Sequence, residues 1–362
     1  MNKLFTIFAG CVLFVPCLRA QQGQGRVSSI RQTEYECIFQ DGKISKGEIV
    51  CCNNFYQRYD DNGRLIEEIK YDVEGNTDEK EVFAYDTQGN EISDVVYLQD
   101  GSVDYRIESK YNKKNQVTEK RVYDGEGTMV SCEKYTYDGF GNILKIIETD
   151  EKGKVCKRVE KRYNERGDIL QDYCMYVGKN GFGWKEVYQY NERGRLMSFQ
   201  GYSDCEFSSD GKLSVHETTQ SNMQLHKYTL QYDMQLHLIQ VKLFDENNMF
   251  KNQWKYTYNN NILVKKEMYD ANDKLVRMWQ YDSSKEGSSV TIWDGKYKKM
   301  HQQRDNAQGL LAEYYSDDNG VKEHKIYSYT YDKHGNWVSM TVYDNEARKY
   351  ECYVERVIVY VE

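Results

Sequence analysis

The sequence predicts an all-β protein: an antiparallel β-meander repeat array of about eleven 26-residue double-hairpin units, forming an elongated twisted or spiral sheet of the β-solenoid kind. Three observations predict it. First, an aromatic-x-Tyr-Asp/Asn-x-x-Gly phrase recurs, clearest at Tyr135-Thr136-Tyr137-Asp138-Gly139-Phe140-Gly141, and its anchors Tyr59, Tyr85, Tyr111, Tyr137 and Tyr163 stand 26 residues apart. The series continues at Tyr190, Tyr232 and Tyr258 and, less regularly, at Tyr281 and Tyr331. Second, another turn follows each anchor by 12 residues, as at Tyr71 to Gly75 and Tyr123 to Gly127, so one unit reads strand, turn, strand, turn. Third, the single proline, Pro16, lies in the N-terminal apolar run, leaving the repeats free of a residue that cannot donate to a β-ladder.

The turns have specific chemistry. Asp or Asn at the first position caps the turn through its side chain. Glycine at the fourth position (Gly63, Gly89, Gly141, Gly167, Gly194 and Gly335) supplies the positive φ that a type I turn with a following bulge requires. The strands alternate: Phe83 and Tyr85, Tyr188 and Tyr190, Tyr228, Leu230 and Tyr232, and Trp254, Tyr256 and Tyr258 share one face at period two. Partner strands open on an apolar residue six after the anchor, such as Leu65, Val117, Ile143 or Trp337, followed by Lys, Glu, Arg and Thr suited to water. Because each repeat contacts only its neighbours, 362 residues need not mean several domains.

Taken in order, residues 1–20 read as a signal peptide, with Lys3 as the positive end, Leu4 to Leu18 as the apolar run and Ala20 at the cut. The chain is therefore expected to be exported, to the periplasm, the cell surface or the medium. Phe8-Ala9-Gly10-Cys11 offers a lipoprotein-type alternative, disfavoured because the apolar run continues past Cys11. Residues 21–33, rich in Gln, Gly, Ser and Arg, read as a flexible leader, and 34–349 as the repeat array. Tyr190 to Tyr232 is 42 residues, which places an insertion at 203–225. The repeat is degenerate over 283–306, where Gly287-Ser288-Ser289 reads as a loop. Residues 350–362, with Val354, Val357, Ile358 and Val359 and no turn, read as a strand capping the open end of the array.

Charge narrows the partners. The formal net charge is −8, and removal of Lys3 and Arg19 with the signal takes it to −10, the wrong sign for nucleic acid or an anionic lipid surface. No stretch after the signal is apolar enough for a membrane span. Eight cysteines follow the cut (Cys37, Cys51, Cys52, Cys132, Cys156, Cys174, Cys205 and Cys352) without a Cys-x-x-Cys pair, and their pairing is open.

The phrases Tyr137-Asp138-Gly139-Phe140-Gly141-Asn142-Ile143, Tyr331-Asp332-Lys333-His334-Gly335-Asn336-Trp337 and Tyr59-Asp60-Asp61-Asn62-Gly63-Arg64-Leu65 resemble the tyrosine-aspartate (YD) repeat of the RHS family, over about 39–349. The resemblance implies long antiparallel strands winding into a spiral sheet. The period is longer than the family's usual one, and neither the Pro-rich motif before RHS toxins nor a non-repeat cargo accompanies the repeats. The resemblance leads to the expectation that the fold carries over and that toxin delivery does not.

Catalytic chemistry finds no pattern. His216, His226, His237, His301, His324 and His334 form no nucleophile or metal-ligand motif. Acidic turns such as Asp60-Asp61-Asn62-Gly63 begin like calcium loops but lack the EF-hand spacing, and a β-turn explains them without an ion. No metal or cofactor is expected. Aromatics outside the repeat ladder, Phe182, Trp184 and Trp293, are the candidate ligand platform. The expected function is a non-enzymatic protein-binding or scaffold module of the cell envelope, with carbohydrate binding as the alternative. A row of exposed aromatics on a concave face would mark sugar. An apolar, uncharged patch at the insertion would mark a protein.

Overall fold

The computed structural model describes residues 25–50, 53–177, 183–202 and 224–361. Every element in it is a β-strand. The chain runs through β1 (Val27–Gln40), β2 (Lys43–Ile49), β3 (Phe55–Tyr59), β4 (Leu65–Tyr71), β5 (Thr77–Tyr85), β6 (Glu91–Tyr97), β7 (Val103–Tyr111) and β8 (Val117–Asp124). It continues through β9 (Met129–Tyr137), β10 (Ile143–Asp150), β11 (Val155–Tyr163), β12 (Ile169–Tyr176), β13 (Gly183–Tyr190), β14 (Leu196–Tyr202), β15 (Gln224–Tyr232) and β16 (Leu238–Phe244). It ends with β17 (Phe250–Asn259), β18 (Ile262–Asp270), β19 (Leu275–Ser284), β20 (Gly287–Asp294), β21 (Lys299–Asn306), β22 (Leu311–Asp318), β23 (Val321–Tyr331), β24 (Trp337–Asp344) and β25 (Lys349–Tyr360).

From β3 onward each strand pairs antiparallel with the next, and the two ends then meet. β1 pairs with β25 from Val27↔Tyr360 to Glu36↔Cys352, and on its other side with β3 from Ser29↔Arg58 to Gln32↔Phe55. The result is a closed barrel of 24 strands. β2 stands outside the ring, paired with the distal part of β1 between Tyr35 and Gln40.

Closure overturns the elongated or spiral sheet and the β-solenoid. The repeat prescribes each strand's neighbour but not how the wall's twist accumulates; here it brings the first strand to the last, which pairs both edges and leaves no open ladder on the ring. Two further expectations change with it. The leader assigned to 21–33 gives way to β1 from Val27, a stretch without periodicity that is ordered by tertiary pairing with β25, where Ile30 is buried. The terminal strand does not cap an edge; β25 lies between β24 and β1.

Nor is Gly287-Ser288-Ser289 a loop. It opens β20, pairing with Ser284, Ser283 and Asp282 of β19. A Cβ on Gly287 would come within 1.9 Å of the Asp305 carbonyl oxygen on β21, so this glycine allows a close backbone approach. Of the insertion, 203–223 lie outside the described residues, yet β14 and β15 remain paired across it, with Phe199 opposite Tyr228. The signal segment also lies outside the described residues.

The wall is a single layer. Strands such as β8 and β16 are half-buried at every position, so neither face packs into a continuous dry core. A local exception is the closure, where Leu310, Trp337 and Val354 pack with Tyr329, Met340 and Cys352.

Stability in such a wall has to come from turns and cross-strand contacts. At Asp60, the carbonyl accepts from Gly63 N–H at 3.0 Å and the carboxylate from the amides of Asn62 and Arg64 at 2.8 and 2.9 Å. Gly63, Gly89, Gly141, Gly167, Gly194 and Gly335 all take positive φ, between 75° and 99°. Where the series lacks glycine, Asn115 and the bulkier Leu236 occupy the same left-handed region, at 59° and 69°.

The anchor tyrosines have a task that the sequence did not reveal. The Tyr137 hydroxyl donates to the Val117 carbonyl at 2.6 Å, at the bulged start of the preceding strand. Tyr85, Tyr111, Tyr163 and Tyr258 make the same bond to the residue 20 earlier, while Tyr190 reaches Ile169 and Tyr232 reaches Leu196. Each phenol thereby clamps its unit to the one before. Tyr59 has no earlier unit and donates to Gln57 instead. At the worn end Tyr329, not Tyr331, supplies the clamp, to Leu311 at 2.9 Å; the Tyr331 hydroxyl accepts from Asn306.

Candidate functional site

Residues directly opposite one another in the ladder share a face, which identifies the two sides of the wall. One side carries the anchor tyrosines together with Val96, Ile107, Ile146, Phe199, Trp254 and Val354. A cavity of about 210 Å³ opens on this side at the closure, lined by residues of β1 and β22 to β25 that include Gln32, Tyr327, Tyr329, Met340 and Val354. A cavity spanning neighbouring strands needs a concave surface, so this is the inner face of the ring. The outer face carries cross-strand ion groups: Glu67 with Arg58 and Lys80, Glu119 with Lys110 and Arg121, and Glu160 with Lys145 and Arg158.

On the inner wall between β13 and β17, four aromatic rings form a row. Tyr188 lies 5.9 Å from Phe199, Phe199 stacks on Tyr228 at 4.5 Å with 15° between planes, and Tyr228 lies 6.5 Å from Trp254. The β-ladder imposes this spacing, since rings on neighbouring strands start roughly 4.8 Å apart. His226 stands edge-on to both Phe199 and Tyr228, and Lys266 lies over the rings of Tyr256 and Trp279 at 5.8 and 4.8 Å. Burial pushes the Tyr228 phenol up and the His226 imidazole and Lys266 ammonium down. Tyr188 is raised by burial and by its hydrogen bond to Glu186. All four rings are half-buried, with Tyr188, Phe199 and Tyr228 stacked on one another.

The expected platform is not assembled. Phe182 lies outside the described residues. Trp184 sits on the inner face near the start of β13, opposite Cys174 and 38% exposed. Trp293 lies on the outer face of β20, its indole nitrogen buried without a partner among the described residues. Six strands separate the two tryptophans in the ring, and they face opposite walls, because membership of the ladder or its gaps does not determine which wall a side chain faces. The row that does form uses Tyr188, Tyr228 and Trp254, which the alternation reads as ladder residues, and Phe199, which it does not mark; its signal is the dense aromatic content of 183–258, and only pairing register aligns the rings.

Elsewhere the inner wall holds acids. Glu81 is pushed up to about 7 by burial and by the charge of Asp94, with which it shares a hydrogen bond, and Asp94 is raised by burial as well. Among the described residues no group of three His, Cys, Asp or Glu side chains is arranged to hold a metal. Cys37, Cys132, Cys156, Cys174 and Cys352 are free thiols, while Cys51, Cys52 and Cys205 lie outside the described residues. No helix among the described residues is long and apolar enough to cross a membrane.

No curated protein matches the chain in sequence. A family model described as "Uncharacterised protein" matches residues 43–158. Among solved structures, the chain is similar to the crystal structure of TcdB2-TccC3-TEV at 11% identity and a TM-score of 0.33, over 83% of this chain and 19% of that one. It is similar to the Photorhabdus luminescens Tc holotoxin pore at 11% identity and a TM-score of 0.28, over 89% of this chain and 19% of that one. A porin-like protein from Bacteroides uniformis matches at 12% identity and a TM-score of 0.23, over 92% of this chain and 97% of that one. The chain thus spans about a fifth of the toxin chains it matches. Its functional reading rests on its own residues.

Proposed function

We propose that the chain is an exported, non-enzymatic binding protein that holds a carbohydrate against the inner wall of its ring. The row Tyr188–Phe199–Tyr228–Trp254 carries the reading. A sugar ring has an apolar C–H face that rests on an aromatic plane and hydroxyls that need polar neighbours. The row supplies half-buried aromatic surface, and Glu186, His226 and Asn252 stand on the same wall. Its tyrosine-aspartate units are read as RHS-type repeats closed into a ring. The outer wall's ion groups suit water and oppose a lipid-facing barrel, whose outside needs an apolar band.

Titration of the full chain against a panel of soluble polysaccharides, followed by tryptophan fluorescence, tests this. Saturable binding by at least one glycan, weakened at least tenfold in Phe199→Ala with the fold retained, is expected. Capture of a protein partner with no glycan bound would replace the reading with the scaffold alternative.

A further inference from the structure

We infer that the carbohydrate held on the inner wall is acidic: Lys266 and Arg277, beside the Trp254 end of the aromatic row, receive the carboxylate or sulfate groups of an anionic polysaccharide. The inference rests on the sugar reading of the row and names the class of sugar. Register places both cations on the inner face. Trp254 of β17 stands opposite Met268 of β18, and Met268 opposite Arg277 of β19. Two residues along the same strands, Tyr256 stands opposite Lys266, and Lys266 opposite Trp279. Lys266 is thus the diagonal neighbour of Trp254, and Arg277 lies one strand further on.

The two cations converge on one indole. The Lys266 Nζ lies 4.8 Å and the Arg277 Cζ 5.9 Å from the Trp279 ring centroid. Among the described residues neither side chain makes an ion pair or a hydrogen bond. Asp294, opposite Arg277, turns to its own turn instead, where Oδ1 accepts from the Lys296 and Lys298 amides at 2.8 Å each. Elsewhere on this wall lysines do have acids: Lys157 pairs with Glu148 at 3.6 Å, Lys161 with Asp172, and Lys325 with Glu323 and Glu351 at 2.9 Å each. Burial lowers the Lys266 ammonium, and no neighbouring charge opposes that effect. Arg277 is exposed and the Lys266 Nζ is not sealed from solvent, so an anion can reach both.

A partly desolvated cation without a counterion is disfavoured, and an arriving anion relieves it. The Arg277 fork can take a carboxylate or a sulfate through two hydrogen bonds, while Lys266 acts as a point charge. From β13 to β19 the wall covers six inter-strand steps of roughly 4.8 Å, or roughly 29 Å, a span for a chain of sugars rather than one. One unit can then rest on the row while the acid group of another reaches Lys266 or Arg277. The chain's net charge of −8 opposes indiscriminate capture of polyanions, so a preference for acid reports local cations.

Calorimetric titration of the full chain with two matched pairs tests the inference: polygalacturonate beside its methyl ester, and dextran sulfate beside dextran. In at least one pair the acidic form is expected to bind at least tenfold more tightly than the neutral form, and the pair that responds identifies carboxylate or sulfate. The double variant Lys266→Gln, Arg277→Gln should bring that ratio near one. Lys110→Gln, which removes a cation from the outer wall, should leave it unchanged. Neutral forms that bind as tightly as acidic ones would overturn the acid inference and leave the sugar reading standing. Binding by none of the four would overturn both, and an acid preference that survives the double variant would overturn the inference alone. Should the double variant fail to fold, Arg277→Gln at its exposed position decides: the ratio should fall at least threefold, and an unchanged ratio refutes the assignment.

Discussion

Replacing Tyr137 by Phe keeps the ring and its half-buried contacts and deletes one hydroxyl, and with it the 2.6 Å bond to the Val117 carbonyl. A neutral hydrogen bond contributes about 1 kcal/mol net, and a carbonyl stripped of its partner in a half-buried position adds part of its desolvation cost. The expected loss is therefore about 1–1.5 kcal/mol. Urea denaturation should show a lower midpoint with an unchanged slope, because the surface exposed on unfolding does not change. Tyr331→Phe is the control, since among the described residues that exposed hydroxyl accepts only from the Asn306 side chain, at 3.2 Å, and it should cost less than about 0.5 kcal/mol. Tyr85 and Tyr137 lie two units apart, so the double variant should show the sum of the single effects to within about 0.5 kcal/mol. If Tyr137→Phe destabilises no more than Tyr331→Phe, the clamp between units is not what holds the wall.

Two other perturbations follow from individual residues. Leu236 occupies a left-handed position at φ 69° that costs a side chain about 1–2 kcal/mol, so Leu236→Gly should stabilise the fold by roughly 0.5–1 kcal/mol after glycine's extra unfolded entropy and raise the thermal midpoint; a lower midpoint refutes the strain. Glu81 is raised from 4.5 to about 7 in the fold. Its contribution is therefore complete below the unfolded value and disappears as pH rises through about 7. Glu81→Gln should match the wild type near pH 4 and exceed it near pH 8, by roughly 1 kcal/mol once solvent screening at this half-open site is allowed for. Parallel stability–pH curves for the two proteins would show that Glu81 is not under this load.

The local grammar of the wall could be read directly from the residues. Asp60 and Gly63, Asp138 and Gly141, and Asp332 and Gly335 mark turns through a side-chain cap and a positive φ, both local properties. The recurrence of Tyr59, Tyr85 and Tyr111 likewise states that each unit meets its neighbour in the same way. Nearest-neighbour information ends there. Whether the final strand finds the first depends on twist summed over the whole array, so the pairing of Ser29–Glu36 with Cys352–Val359 has no local signature; no motif near Val27 announces a strand at all. The proposed site is global in the same sense. Tyr188, Phe199, Tyr228 and Trp254 form a row only through register across β14 to β16, including a pairing that bridges the insertion. Gln32 and Arg356, 324 residues apart, meet only because the ring closes. Sequence alone determined the unit, its turns and its partners on either side. The tertiary structure decided the closed ring, which wall is inner and which side chains face one another across the closure, because those are sums over every strand rather than properties of any one.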